Sequence, residues 1–235
     1  MLSELKEAVC KSNLDMVKSG LVILTFGNVS GIDRRRGIVA IKPSGVPYDS
    51  LKADDIVLVD LEGNVVEGRL NPSSDTPTHV ELYKAFSKIG GIAHAHSEYA
   101  TIFAQARREI PCFGTTHADQ FRGPVPLTRL IVEAEVVEDY ERNTGKIIVE
   151  RFAGLDPLEL PAALVAGHGP FVWGWTPAEA VENALVLELV AKMAYGTCAL
   201  DRNIAPLDRY IQEKHYLRKH GPQATYGQRK EKDHD

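Results

Sequence analysis

Four side chains in this sequence have the types and the spacing to hold a divalent metal. His94 and His96 stand two apart in the run Ile92-Ala93-His94-Ala95-His96, and the period-two alternation of a β-strand turns both imidazoles to one face. Imidazole nitrogens bind zinc in tetrahedral geometry, and a catalytic site keeps one position for water or a substrate oxygen. A third imidazole, His168, lies in Gly167-His168-Gly169-Pro170, where the glycines let the backbone turn sharply and approach closely. The fourth candidate is Asp75, in Asn71-Pro72-Ser73-Ser74-Asp75-Thr76-Pro77-Thr78, a segment leading straight into a helical stretch. Read locally, Asp75 is equally an ordinary N-cap aspartate, and a histidine pair on a strand is also found at plain surface or core positions.

Three segments could meet an anion. Ser73 and Ser74 precede a helix N-terminus, whose backbone N–H groups and dipole favour a phosphate. Ile41-Lys42-Pro43-Ser44-Gly45 offers an ammonium at Lys42, a hydroxyl at Ser44 and a close backbone approach at Gly45. Phe26-Gly27-Asn28-Val29-Ser30 places a small residue, Gly27, and an amide, Asn28, at a strand end. The last two also read as plain strand-to-turn junctions.

The elements that must position these residues can be read along the chain. Leu2, Leu5, Val9, Met16 and Val17 recur at helical spacing before Gly20. Strands are expected at residues 22–25, 37–41, 56–59 and 65–67, with hairpin turns at 33–37 and 62–64. Arg34, Arg35 and Arg36 in the first turn read as a solvated charge run. A helix over 78–86 with Leu82 and Phe86 inward ends at Gly90-Gly91, before the histidine strand 92–96 and a helix over 98–106. A loop-rich middle follows, then strands at 162–165 and 171–173 on either side of the His168 turn. Thr176-Pro177-Ala178-Glu179 is a capping box opening a helix to about residue 200, and a shorter helix covers 208–220. Together these predict a single α/β domain with a largely antiparallel central sheet covered by helices.

At 235 residues one core is the default. A formal net charge of -5 argues against nucleic acid as a partner. The most apolar N-terminal run, residues 21–26, is far shorter than the roughly 20 residues that cross a bilayer, and Met1 is not followed by a signal-type apolar stretch. No membrane is implied, and a cytoplasmic location is expected. Three cysteines with no CxxC pair leave a metal to histidine and carboxylate.

Taken together, Gly27-Asn28-Val29-Ser30, Lys42-Pro43-Ser44-Gly45, Ser73-Ser74-Asp75-Thr76-Pro77-Thr78-His79, His94-Ala95-His96-Ser97 and Gly167-His168-Gly169-Pro170 resemble the class II aldolase/epimerase family. The likeness includes Gly114-Thr115-Thr116-His117-Ala118-Asp119 and the segment from Lys214 to Gly221 with Tyr226-Gly227-Gln228. It covers residues 1–228 and leaves 229–235 as a charged, disordered tail. The resemblance implies that Asp75, His94, His96 and His168 bind a divalent metal, usually zinc, although manganese and cobalt suit the same donors. It implies that Asn28, Lys42, Ser44, Gly45, Ser73 and Ser74 surround the phosphate of a small sugar phosphate, with Gly27 beside them. It also implies that Asp119 and Tyr226 form an acid/base pair with His215 and Glu141 nearby, and that subunits of a homotetramer share each active site. Read alone, Asp119 is a loop carboxylate, Tyr226 a tail aromatic and His215 a helix-surface histidine.

Asp75 points to the epimerase branch, because aldolase relatives carry a proton-transferring glutamate there. The expected activity is metal-dependent inversion of a sugar-phosphate carbinol by retro-aldol cleavage and re-addition, in carbohydrate metabolism such as arabinose catabolism. The alternatives are a sugar-phosphate aldolase and a metal-free structural module of the same fold, which would lack the histidines.

Overall fold

The computed structural model describes residues 2–225; Met1, Tyr226 and the tail through Asp235 lie outside the described residues. Helix α1 (Leu2–Lys18) is followed by strands β1 (Gly27–Asp33), β2 (Ile38–Ile41), β3 (Val57–Asp60) and β4 (Val65–Glu67). Helix α2 (Thr76–Ala85), strand β5 (Gly91–Ala95) and helices α3 (Glu98–Gln105), α4 (Thr115–Ala118) and α5 (Glu133–Arg151) come next. Strands β6 (Ala162–Val165) and β7 (Gly169–Gly174) and helices α6 (Pro177–Leu200) and α7 (Arg209–His220) complete the order.

The strands form one seven-stranded sheet, β4-β3-β2-β1-β5-β7-β6, in which every neighbouring pair is antiparallel. Val29, Val39, Val59, Ile92 and Val172 are buried in it, β-branched side chains that suit a pleated surface packed on both faces. Ser30 and Trp173 point to the side of α2 and α5, where Trp173 meets Phe86 and Phe152 at ring distances of 5.2 and 5.1 Å. On the other face, at Gly31, Leu5 and Val9 of α1 and Pro177 of α6 come against the sheet.

Helix α6 is long and apolar enough by length and composition to cross a membrane, but it serves as a cover of this sheet. Ala180, Leu187 and Ala191 are fully buried, and Asn183 Nδ2 donates to the Trp173 carbonyl at 2.8 Å. Its expected cap is present: Thr176 Oγ1 accepts from the Glu179 N–H at 3.1 Å, while the Glu179 carboxylate accepts from Trp175 N rather than from the cap residue.

Three expectations are corrected. Residues 22–25 are not a strand; Ile23 and Leu24 are 75% exposed and Leu24 has φ 56°, so apolar composition there lacks the ladder partner that makes a strand. The middle of the chain is not loop-rich, since α5 spans 19 residues. Its buried face carries Asn143, Thr144 and Gly145 beside Ile147 and Ile148, and Asp139 breaks its helical geometry, so no apolar period marks it. Arg34 is exposed like the rest of its run, but its guanidinium is not left to water alone. Its guanidinium donates to the carbonyls of Tyr83, Phe86 and Ile89 at 2.6, 2.7 and 2.8 Å, closing the C-terminal end of α2.

Candidate metal centre

His94 sits on β5, paired in register with Asn28 of β1 and Phe171 of β7; His96 follows one residue past the strand end. His168 enters from the turn between β6 and β7, where Gly167 takes φ +76°, a conformation that disfavours any residue with a Cβ. One ligand nitrogen from each of the three rings lies within 4.8 Å of the others. Phe171 stacks on the His94 ring at 4.1 Å and 12°. His94 Nδ1 is 2.9 Å from the Pro170 carbonyl. A carbonyl can only accept, so Nδ1 carries the proton and Nε2 keeps its lone pair for a metal. Burial and the neighbouring His94 push His168 down to about 4 and also lower His96, which keeps both rings in the neutral form that coordinates. The donor set and its orientation fit a divalent metal.

Asp75 is the residue preceding α2, yet its side chain makes no capping hydrogen bond. Its Oδ2 instead accepts from Asn28 Nδ2 at 2.7 Å. Burial opposes its ionisation, but the fields of His94 and His79 and the Asn28 bond hold the carboxyl below the usual carboxylate range. Asp75 lines the same cleft as the histidines, although its oxygens stand outside the three-nitrogen group.

That cleft has a volume of about 420 Å³ and is walled by Gly27, Asn28, Lys42, Ser44, Gly45, Ser73 and Ser74 together with the four metal candidates. Gly27 takes φ +149°, and a Cβ there would stand 2.8 Å from the His94 carbonyl, so only glycine fits. Lys42 is 2% exposed; its Nζ donates to Val46 O at 2.8 Å and Pro43 O at 3.2 Å and lies 4.6 Å over the Tyr48 ring. Asn28 Nδ2 also reaches Ser73 Oγ at 3.1 Å. Glu141 lines the cleft too, and so does Tyr140, which the sequence reading missed. Tyr140 Oη is 3.4 Å from His168 Nδ1; with α5 read as loop, nothing marked it. A larger cavity of about 670 Å³ between α4, α6 and residues 204–208 contains no metal-binding cluster among the described residues.

The expected acid/base residues are divided. Asp119, at the end of α4, accepts from Arg218 Nε at 3.0 Å and Nη2 at 2.7 Å, and its Oδ1 is 3.0 Å from His215 Nδ1 on α7. Neither Asp119 nor His215 lines the cleft that contains Glu141. Tyr226 lies outside the described residues. Burial tends to raise the Asp119 pKa, but Arg218 and His215 overcome it and lower the value. A carboxylate with a depressed folded-state pKa adds stability above its unfolded value, about 3.9, and loses it as pH falls through the folded value. Urea midpoints measured from pH 6 down to 2 should therefore fall below about pH 4, and less steeply in Asp119→Asn.

Residues 7–195 match the class II aldolase and adducin N-terminal domain. Over 228 residues the chain is 50% identical to the L-ribulose-5-phosphate 4-epimerase UlaF of Salmonella paratyphi A, covering 97% of this chain and 100% of that relative. Among solved structures, an L-fuculose 1-phosphate aldolase superposes with a TM-score of 0.77 at 27% identity, over 90% of this chain and 94% of that one. L-fuculose 1-phosphate aldolase from Glaciozyma antarctica PI12, at 18% identity, shares the fold with a TM-score of 0.74 over 91% of this chain and 80% of that one.

Proposed function

This chain belongs to the class II aldolase and adducin N-terminal domain family, and from that premise we propose that it is a metal-dependent 4-epimerase interconverting L-ribulose 5-phosphate and D-xylulose 5-phosphate. The observation that carries this reading is the 50% identity, over the whole length of the relative, to a 4-epimerase of that pentulose phosphate. Asp75 beside three convergent histidines, in a cleft walled by serines and Lys42, is the chemistry such a substrate needs.

The C4 proton of a 2-ketopentose phosphate lies two carbons from the carbonyl and is not acidic, so removing and replacing it is a poor route to inversion. Breaking C3–C4 instead leaves the electron pair on C3, delocalised toward the C2 carbonyl, and turns C4 into the aldehyde of glycolaldehyde phosphate. Rotation of that aldehyde, held by its phosphate, presents the opposite face for re-addition. A divalent metal bound by His94, His96, His168 and Asp75 supplies the Lewis acidity that makes the charge on the three-carbon fragment bearable. Zinc is the ion these donors suit best, and manganese or cobalt can replace it.

Ser44, Gly45, Ser73 and Ser74 hold the phosphate, and the Lys42 ammonium adds its charge. Inversion at C4 exchanges a proton with the C4 oxygen from two sides, which calls for two groups, Asp119 and Tyr226, with His215 and Glu141 assisting. Since Asp119 and His215 do not line their own chain's cleft, they serve the cleft of a neighbouring subunit, in a homotetramer with shared sites. Exposed Leu185, Leu189 and Met193, spaced four apart on α6, are consistent with a subunit contact. Residues 1–228 form the catalytic domain, and three unpaired cysteines suit a reducing cytoplasm.

Turnover in D2O tests the route. D-Xylulose 5-phosphate that keeps its original hydrogen at C4 is the expected product. Deuterium at C4 would overturn carbon–carbon cleavage, and net release of dihydroxyacetone phosphate from a ketose 1-phosphate, without epimerisation, would make the protein an aldolase.

A further inference from the structure

His79 belongs to the segment that carries Asp75 but has no part in the chemistry above. It lies four residues further along α2, on the same face, and is 0% exposed. Its ring stands edge-on to Phe171, the ring that stacks on His94. Nδ1 is 2.7 Å from Ser30 Oγ, which is in turn 2.8 Å from Tyr83 Oη. Nε2 is buried with no hydrogen-bond partner among the described residues, and the carboxylate whose field reaches the ring is that of Asp75. Burial pushes its pKa down to about 3, so it is neutral and one nitrogen carries the proton.

The surroundings select which. With the proton on Nδ1, the bare lone pair of Nε2 would lie in the field of the Asp75 carboxylate, like facing like. With Tyr83 donating to Ser30 and Ser30 donating to Nδ1, the proton sits on Nε2 and the positive end of the N–H lies in that field. The second arrangement also uses the phenol, the more acidic hydroxyl, as donor. It leaves a buried Nε2 donor with no bond to Asp75 in this structure, and one bridging water would let the Asp75 carboxylate accept from it; an unmade bond of that kind costs about 1–3 kcal/mol.

We propose that His79 is a positioning residue of the metal centre: Ser30 and Tyr83 fix it so that its Nε2–H, through one water, orients the Asp75 carboxylate that Asn28 holds at Oδ2. This rests on reading Asp75 and the three histidines as metal ligands. Outer partners of metal ligands commonly change metal affinity by about 10–100-fold when removed.

The test is cobalt and zinc affinity of the full chain by chelator competition, with the visible cobalt spectrum and the melting temperature of each variant. His79→Phe keeps the ring volume and removes both nitrogens. His79→Gln places an amide N–H near the position of Nε2, and His79→Asn only near Nδ1. Expected are a loss of about 10–100-fold in metal affinity and an altered cobalt spectrum in His79→Phe and His79→Asn, with His79→Gln within a few-fold of wild type. Wild-type affinity and spectrum in a folded His79→Phe would overturn the proposal. So would equal losses in His79→Gln and His79→Asn, a comparison that stands if the Phe variant does not fold. If the wild-type protein binds no metal and His94→Ala changes nothing, the metal centre itself is wrong, a separate failure.

Discussion

His94→Ala protein, folded and incubated with zinc, should lose its bound metal and at least about a thousandfold in kcat/KM, since Lewis-acid stabilisation of developing charge is worth several kcal/mol and each 1.4 kcal/mol is a factor of ten. Of the three imidazoles, His94 is the one whose loss should cost most. It is 3% exposed, its ring lies 5.1 Å from His96 and 4.9 Å from His168, and its tautomer is set by the Pro170 carbonyl. His96 and His168 approach the same point from a strand end and a turn, where the backbone has more room to adjust. Metal content after dialysis, read beside the melting temperature, separates loss of the ion from loss of the fold. A folded His94→Ala protein with full metal content and near-normal turnover would remove the basis for placing the chemistry in this cleft.

Asp119→Asn should behave differently. It should keep its metal, because Asp119 is bonded to Arg218 and His215 and lies away from the cleft, yet lose about 10²–10⁴ in kcat, the usual contribution of a general acid or base. If neighbouring subunits share each site, mixing His94→Ala and Asp119→Asn proteins, dissociated and reassembled, should restore activity that neither has alone. A hybrid site would join the intact cleft of one chain to the intact Asp119 of the other. No recovery on mixing, in oligomers shown to exchange subunits, would mean that Asp119 serves its own chain's cleft or none.

Much of the histidine cluster was legible because its signals are local. A strand alternates sides, so His94 within β5 and His96 just past its end turn to the same cleft, and Gly167 takes the positive φ of its turn. The N-cap at Thr176 and the hairpins at 33–37 and 62–64 are short-range patterns of the same kind. What was not legible depends on partners distant in sequence. Arg34 looks like its two neighbours until the carbonyls at the end of α2, about fifty residues on, come within its reach. Helix α5 hides because its buried face carries Asn143, Thr144 and Gly145, the glycine standing against Glu81 of α2; its concealment took Tyr140 with it. Asp75 reads equally well as a helix cap, and only the bond from Asn28 of β1 shows its carboxylate engaged elsewhere.

The most direct measurement is incubation of the metal-loaded protein with L-ribulose 5-phosphate, following D-xylulose 5-phosphate, beside a sample stripped by chelator and another stripped and then reloaded. The expected result is product from the loaded and reloaded samples and none from the stripped one. Product formed equally after stripping would contradict the metal's role, and no product from fully loaded protein would contradict the epimerase assignment itself.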